Sequence, residues 1–363
     1  VSGPHSGTQP GAANPDNWPL LTHPFTWPVN VPLADLVVTY TPLRSLDTLA
    51  VCRTCTEYGG PNCDVLLRRR RYSPRNPIPK PRVAAVSLIK DFTPTSDAVQ
   101  WLLGGDAAIQ YQRLRDLFGD ERPELAHQIA LDGDAAAILS AQRSDGHWGR
   151  GFYQPKWTCS HYSLMELRDL GVSPTHPACV RTVTMLTREK SEDGGVNPSE
   201  SVKVADVCLN GMFLAYASHF RAEAAALESV VDFILNQRMA DGGFNCRSSR
   251  SGARIASVHS TTSVIDGLTE YERRGYAYRS GDVRSAINAA AESLLARRLY
   301  QRRSSHEPIS AEFTRLHQPS RWHFDVLRGL EVLRAAQIPW DPRLEEALSV
   351  IESRRRHDGR WAA

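Results

Sequence analysis

An all-α fold built from paired helices is what the sequence predicts for residues 96–363. Three observations point to it. First, a short Asp-Gly turn recurs: Ser144-Asp145-Gly146-His147-Trp148, Glu192-Asp193-Gly194-Gly195-Val196, Ala240-Asp241-Gly242-Gly243-Phe244 and His357-Asp358-Gly359-Arg360-Trp361. The first three copies are 48 residues apart, twice in succession. A fixed period of this size marks a repeated supersecondary unit. Second, each period holds two Ala/Leu-rich helical segments. Third, these segments alternate between apolar on all sides and amphipathic, as buried and covering helices do.

The first helices of the pairs fall at about 97–118, 158–170, 204–219, 258–274 and 320–336. The second fall at about 121–142, 176–189, 223–238, 282–298 and 342–356. In the third pair, Met212, Phe213 and Tyr216 follow one another at helical spacing. In its partner, Ala222, Ala226, Val230, Phe233 and Ile234 alternate with Glu223, Glu228 and Asp232. An inner row of helices inside an outer row follows. The Asp-Gly turns suit helix ends, where glycine takes the left-handed conformation. The gap from Asp241 to Asp358 is 117 residues, so one turn has diverged, near Arg298 to Pro308. An open solenoid and a closed ring satisfy this pattern equally.

Residues 1–95 read as a separate proline-rich extension, with Pro74, Pro77, Pro79 and Pro81 close together. Only Ala34 to Tyr58 suits regular structure, as helix or strand. The run Arg68 to Arg71 reads as a solvated surface. Cys52-x-x-Cys55 with Cys63 is a possible second metal cluster that His23 would complete. Val1 to Pro15 lacks the charged-then-apolar order of a secretory signal. No run of about 18 apolar residues predicts a membrane span. A net charge of +3 is too small to argue for a nucleic-acid partner. Seven scattered cysteines, an odd number, argue against a disulfide framework and for a reducing cytoplasm.

Gln142-Arg143-Ser144-Asp145-Gly146-His147-Trp148 resembles the Gln…Gly-x-Trp repeat of squalene and hopene cyclases, and Gln237 to Phe244 is a looser copy. The Gly-Gly form of the repeat is similar to that of protein prenyltransferase β-subunits. The resemblance covers about residues 97–363 and implies an α/α toroid, a ring of inner helices inside a ring of outer ones. Class II cyclases protonate an alkene with an Asp-x-Asp-Asp motif, and this chain has none.

The prenyltransferase resemblance is carried further by Asp206-Val207-Cys208, which opens the third inner helix, and His259, which opens the fourth 51 residues after Cys208. In that family the matching Asp, Cys and His bind one zinc ion, so the resemblance implies Asp206, Cys208 and His259 as metal ligands. The residue types accord with zinc, and three protein ligands leave a fourth position for substrate. Residues i and i+2 of a continuous helix face apart. Asp206 and Cys208 therefore converge only if Asp206 precedes the helix proper. Each residue alone also has a plainer reading: an N-cap, a small buried apolar residue and a core histidine.

The resemblance implies a diphosphate-binding role for Lys203, although the family's arginine three residues earlier is replaced by Glu200. His161 and Tyr162 open the second inner helix. Phe213, Tyr216 and Trp322, with Trp157 and Phe324, are candidates for the wall of an apolar cavity. His323 with Asp325 reads as a base, a metal ligand with its orienter, or a capping arrangement. Cys246, after the third turn, is an alternative ligand, as is His323.

Together these readings give a zinc-dependent transferase. Zinc would activate an acceptor thiol, and the donor would be a small apolar or isoprenoid substrate. Protein prenyltransferases also need a helical α-subunit, so the acceptor is either a small molecule or comes with a partner protein chain. Two alternatives stay open: an isoprenoid cyclase using a different acid, and a non-enzymatic lipid-binding module.

Overall fold

Among the described residues the chain forms thirteen α-helices and no strand. The structure is a computed structural model that describes residues 97–357 and Trp361, apart from residues 121, 200 and 201. The proline-rich extension lies outside the described residues. So do Ala34 to Tyr58, Arg68 to Arg71, the Cys52, Cys55, Cys63 and His23 cluster, and residues 358–360 of the last turn.

The first repeat differs from the expectation of two long helices. Where one inner helix is predicted over 97–118, α1 (Asp97–Leu103) and α2 (Ala107–Phe118) are separated by Gly104 and Gly105. Asp106 then caps α2, its carboxylate accepting the Ile109 N–H at 3.0 Å. The outer segment predicted over 121–142 likewise splits into α3 (Pro123–Gln128), a 3₁₀ turn and α4 (Gly133–Ser140). The break lies at Asp132, whose carboxylate accepts the Gly133 N–H at 2.8 Å and the Ala107 N–H at 3.1 Å. Short polar side chains that capture main-chain N–H groups end and start helices regardless of the apolar period around them.

The remaining pairs follow the sequence pattern more closely. They are α5 (Ser160–Leu170) with α6 (Pro177–Leu186), α7 (Val207–His219) with α8 (Ala224–Asn236), α10 (Val258–Arg273) with α11 (Ser280–Leu295), and α12 (Val326–Ala335) with α13 (Glu345–Ser353). A short α9 (Arg247–Ser251) follows the third turn. The helix predicted from residue 320 begins only at Val326, because Asp325 caps it by accepting the Arg328 N–H at 3.0 Å.

Helices α5, α7, α10 and α12 pack side by side in that order, and α8, α11 and α13 lie against α7, α10 and α12 respectively. Burial follows the two kinds of segment. Almost every residue of α7 is buried, whereas α8 buries one stripe: Leu227, Val230, Val231, Phe233 and Ile234. Each large apolar side chain so buried contributes about 1.5–3 kcal/mol. The closest approach is between α7 and α10. A Cβ on Gly211 would lie 2.5 Å from the Ser263 carbonyl oxygen, and one on Gly267 would strike the Gly211 carbonyl. Only glycine lets the two backbones touch there.

The recurrent turns share one geometry. Gly146, Gly194 and Gly242 have φ of +90°, +86° and +84°. The N–H two residues before each turn Asp donates to the carbonyl two residues after it: Arg143 to His147, Ser191 to Gly195 and Met239 to Gly243, each at 2.9 Å. Gln301 and Pro308 form an antiparallel bridge at the diverged position. The two motif tryptophans bond back to the preceding helices. Trp148 donates its indole N–H to the Ile138 carbonyl at 2.6 Å, and Trp361 donates to Ile351 at 2.7 Å. Gln142 and Thr182 both donate to the Gly146 carbonyl, at 3.1 and 2.6 Å, which joins the first turn to α6.

Side chains from the first and last helices of this row meet common partners. Asp266 on α10 accepts from Arg168 on α5 at 3.0 Å and from Arg328 on α12 at 3.3 Å. Before the helices begin, Trp157 stacks on His323 with centroids 6.0 Å apart. Helices α5 and α12 are thus brought within side-chain reach although α7 and α10 stand between them in the row.

Candidate functional site

The turns position the N-terminal ends of α7 and α10. The Asp193 carboxylate accepts the Ala205 N–H at 3.0 Å, and the Asp241 carboxylate accepts the Ala256 N–H, also at 3.0 Å. Each turn therefore holds the segment leading into the next inner helix. Asp206 occupies the N-cap of α7 with extended backbone, φ −89° and ψ 123°, and its side chain does not cap. Cys208 lies in the first turn of α7, and His259 in the first turn of α10.

Between these ends lies a cavity of about 120 Å³. Cys208, Met212, His259 and Ser263 line it from α7 and α10, and Tyr153, Lys156 and Trp322 close it from the segments preceding α5 and α12. Ligand sites for drug-sized molecules span roughly 300–1,000 Å³. The space as it stands takes the reacting end of a substrate and not a long chain.

A second sulfur belongs to this place. The Cys208 N–H donates to Cys246 Sγ at 3.2 Å, and the Ser260 hydroxyl lies 3.4 Å from the same sulfur. The two thiols are within hydrogen-bonding reach of each other. That contact pushes the Cys208 thiol up, burial and the nearby Asp206 charge add to it, and the same contact draws Cys246 down. Cys246 is therefore the easier of the two to ionise, and its sulfur lies at the N-terminus of α7, where the helix dipole favours an anion. Cys159 and Cys179 are different: both are fully buried, and burial pushes the Cys179 thiol up to about 12.

His259 is half-buried, and burial lowers its basicity. Its Nδ1 accepts the Phe324 N–H at 3.0 Å, which places the proton of the neutral ring on Nε2. Among the described residues no three His, Cys, Asp or Glu side chains are gathered around one point. The donor chemistry nevertheless suits a soft divalent cation. Two sulfurs meet at one helix end, and the nearby Asp206 charge makes both thiols harder to ionise.

The other expected site residues divide. Trp322 lines the cavity. His161, Tyr162, Phe213 and Tyr216 do not line it; they are buried in an aromatic cluster behind Tyr153, whose ring lies 5.3 Å from His161 and 5.6 Å from Tyr162. His161 Nδ1 is 3.2 Å from the Tyr216 hydroxyl, and complete burial lowers its pKa to about 3. These four are core residues because their inner helices bury nearly every face. Lys203 is exposed, on the loop before α7. The expected His323–Asp325 pair does not form. Asp325 caps α12 and accepts from the His317 N–H at 2.8 Å, and the His317 ring nitrogen is 3.3 Å away. His323 is instead stacked between Trp322 and His317, with centroid distances of 4.1 and 5.1 Å.

Four cavity residues were not read from the sequence as site residues: Tyr153, Lys156, Met212 and Ser263. Met212 and Ser263 stand four residues after Cys208 and His259, on the same helix faces, a spacing that was there to be read. Lys156 had no such signal. Its ammonium lies 4.6 Å above the Trp157 ring and 5.0 Å above Trp322, a pairing made only by the fold. Comparison with protein families, with curated proteins and with solved structures finds no match to this chain.

Proposed function

We propose that this chain is a zinc-dependent transferase on an α/α toroid, moving a small isoprenoid-like group to an acceptor nucleophile. The observation that carries the reading is the single cavity to which two successive inner helices bring Cys208 and His259. The ring is supported by Asp266, which α5 and α12 both reach.

Zinc would be held from Asp206, Cys208 and the sulfur and imidazole beside them. When bound, it lowers the pKa of a coordinated acceptor thiol, so that the thiolate exists at neutral pH. Tyr153, Met212 and Trp322 exclude water from the reacting carbon. Lys156 supplies the positive charge a departing anion needs, in place of the exposed Lys203. Its stacking on two indoles holds that charge at the cavity mouth. Removing a group that stabilises charge only in the transition state costs roughly 10²–10³ in kcat.

The experiment is to supply the metal-loaded protein with allylic isoprenoid diphosphates of increasing length and a small thiol, then measure diphosphate release and thioether mass. Zinc-dependent transfer should occur, with the shortest donors preferred. Lys156→Ala should lower kcat far more than it changes KM. No transfer from any donor to metal-loaded protein would refute the reading. A cyclised product formed without acceptor would favour the cyclase.

A further inference from the structure

We propose that Cys208 and Cys246 are a redox-active pair that closes to a disulfide when hydrogen peroxide enters the cavity. This modification needs neither the metal nor the donor of the proposed transfer reaction.

Among the described residues four cysteines carry free thiols. Cys159 and Cys179 are fully buried, and the polar neighbour of Cys179 is the His176 ring nitrogen at 3.9 Å, not another sulfur. Cys208 and Cys246 are half-buried, and Cys208 lines the cavity. These two are 38 residues apart in the chain, yet Cys246 Sγ takes the Cys208 N–H at 3.2 Å, and the thiols are within hydrogen-bonding reach of each other. A sulfur at 3.2 Å from that nitrogen is no more than about 4.7 Å from the Cys208 Cα, because N–Cα measures about 1.46 Å. Disulfides join Cα atoms about 4.4–6.8 Å apart, and here the partner's sulfur is already inside that span.

The fold holds the pair in place. Cys246 donates its N–H to Ser260 Oγ on α10 at 3.3 Å, and the same hydroxyl lies 3.4 Å from its Sγ. The Asn245 amide donates to the Ile255 carbonyl at 2.8 Å, which closes the loop that carries Cys246. Cys208 is fixed in the first turn of α7. The second sulfur is therefore beside the first before oxidation begins. Hydrogen peroxide has only two heavy atoms, and the cavity of about 120 Å³ onto which Cys208 opens has room for it.

The chemistry runs in two steps. One sulfur attacks a peroxide oxygen and the O–O bond breaks; that sulfur becomes a sulfenic acid, and the second oxygen leaves as water with the thiol proton. The other sulfur then attacks the sulfenic sulfur and the S–O bond breaks; the hydroxyl leaves as a second water with the second thiol proton. Two thiols give up two electrons, and one peroxide is reduced to two waters. A resolving thiol at this distance keeps either sulfur from going on to the irreversible sulfinic acid. The bond takes away the thiol that Cys208 offers to the cavity, so chemistry that uses it would stop under peroxide and return on reduction.

The test exposes the full chain, reduced and stripped of metal, to hydrogen peroxide under native conditions. Remaining thiols are blocked with N-ethylmaleimide in denaturant, and the unreduced digest is mapped by mass spectrometry. The peptides carrying Cys208 and Cys246 should appear joined, and dithiothreitol before blocking should restore both thiols. Cys159 and Cys179 should stay as labelled thiols. In Cys246→Ser the link should be lost and Cys208 trapped by dimedone as its sulfenic acid; Cys208→Ser gives the mirror result if the first variant does not fold. Oxidation in urea controls for geometry, and there the pair should lose its preference over other cysteine pairs. Cys208 and Cys246 left as thiols in the folded parent, oxidised singly to sulfinic acid, or joined to other cysteines would overturn the inference, as would an equal preference in urea. The transferase reading is tested by product formation and stands or falls separately.

Discussion

Replacing Gly211 by alanine tests whether backbone contact between α7 and α10 holds the cavity in shape. The added Cβ would lie 2.5 Å from the Ser263 oxygen, 2.7 Å from the Ser263 carbonyl carbon and 2.8 Å from the Val264 nitrogen. All three are main-chain atoms, so no rotamer change relieves the overlap. An ordinary C···O contact needs about 3.3 Å, so the helices must part by about 0.8 Å. Overpacking of this kind costs about 1–3 kcal/mol, and backbone partners put it near the upper end. Alanine in a helix interior returns about 1 kcal/mol of propensity. The net loss is about 2 kcal/mol, and for a domain of this size the Tm should fall by about 4–8 °C. Gly281 on α11 is the control: a Cβ there meets nothing within 4 Å. Gly281→Ala should therefore be neutral or stabilising by up to about 1 kcal/mol. Thermal unfolding followed by circular dichroism decides. If Gly211→Ala melts at or above the parent temperature, as Gly281→Ala should, the close-contact argument fails.

Three further outcomes follow from groups around the site. His161, with a folded pKa of about 3, binds fewer protons folded than unfolded between pH 6.5 and 3. Stability should therefore fall by about 1.4 kcal/mol per pH unit as pH drops through that window. Unfolding free energies of His161→Gln from urea titration at pH 7 and pH 5 should differ less than the parent's by about 2 kcal/mol, and parallel profiles would contradict this. Glu331 behaves oppositely. Its pKa is raised to about 7, so its contribution is complete below about pH 4.5 and lost as pH rises through 7. Glu331→Gln should accordingly gain in melting temperature over the parent between pH 5 and pH 8, and a constant difference would show that the carboxyl is ordinary. Trp148→Phe removes the indole bond to the half-buried Ile138 carbonyl and should cost about 1–3 kcal/mol in denaturant titration. A cost below about 0.5 kcal/mol would mean that the motif tryptophan acts through packing alone.

The repeat was legible because its residues are required by the turn itself. Gly146, Gly194 and Gly242 need positive φ, and Asp193 and Asp241 need a carboxylate to hold the next segment. Helix pairs could be read wherever burial alone decides, as in α7 against α8. The pattern failed at Gly104, Gly105 and Asp132, where local capping overrides an apolar period that continues across the break. At the site, Asp206, Cys208 and His259 could be picked out because they open inner helices. That His259 spends Nδ1 on Phe324 depends on a contact 65 residues away, and no local pattern encodes it. Asp325 shows the same limit from the other side. His323, two residues before it, looked like its partner, yet residues i and i+2 at a helix start point apart, and His317 takes the carboxylate.

The position of the chemistry follows from the layering. Inner helices buried on nearly all sides can offer unpaired polar groups only at their ends, and at the N-terminal ends these are N–H groups that favour anions. It is at such an end that the Cys246 sulfur takes the Cys208 N–H. Further along the same face of α10 the stripe His259, Ser263, Asp266 turns from cavity wall to ion pair, with Asp266 gripping Arg168 and Arg328 one turn below Ser263. Breaking into that group would leave buried charges unpaired, at about 3–5 kcal/mol. An apolar chain therefore cannot extend past Asp266 between the helices. On the proposed function, a substrate longer than the cavity would project outward past Lys156, Trp157 and Trp322, where the indole-stacked lysine would meet its charge.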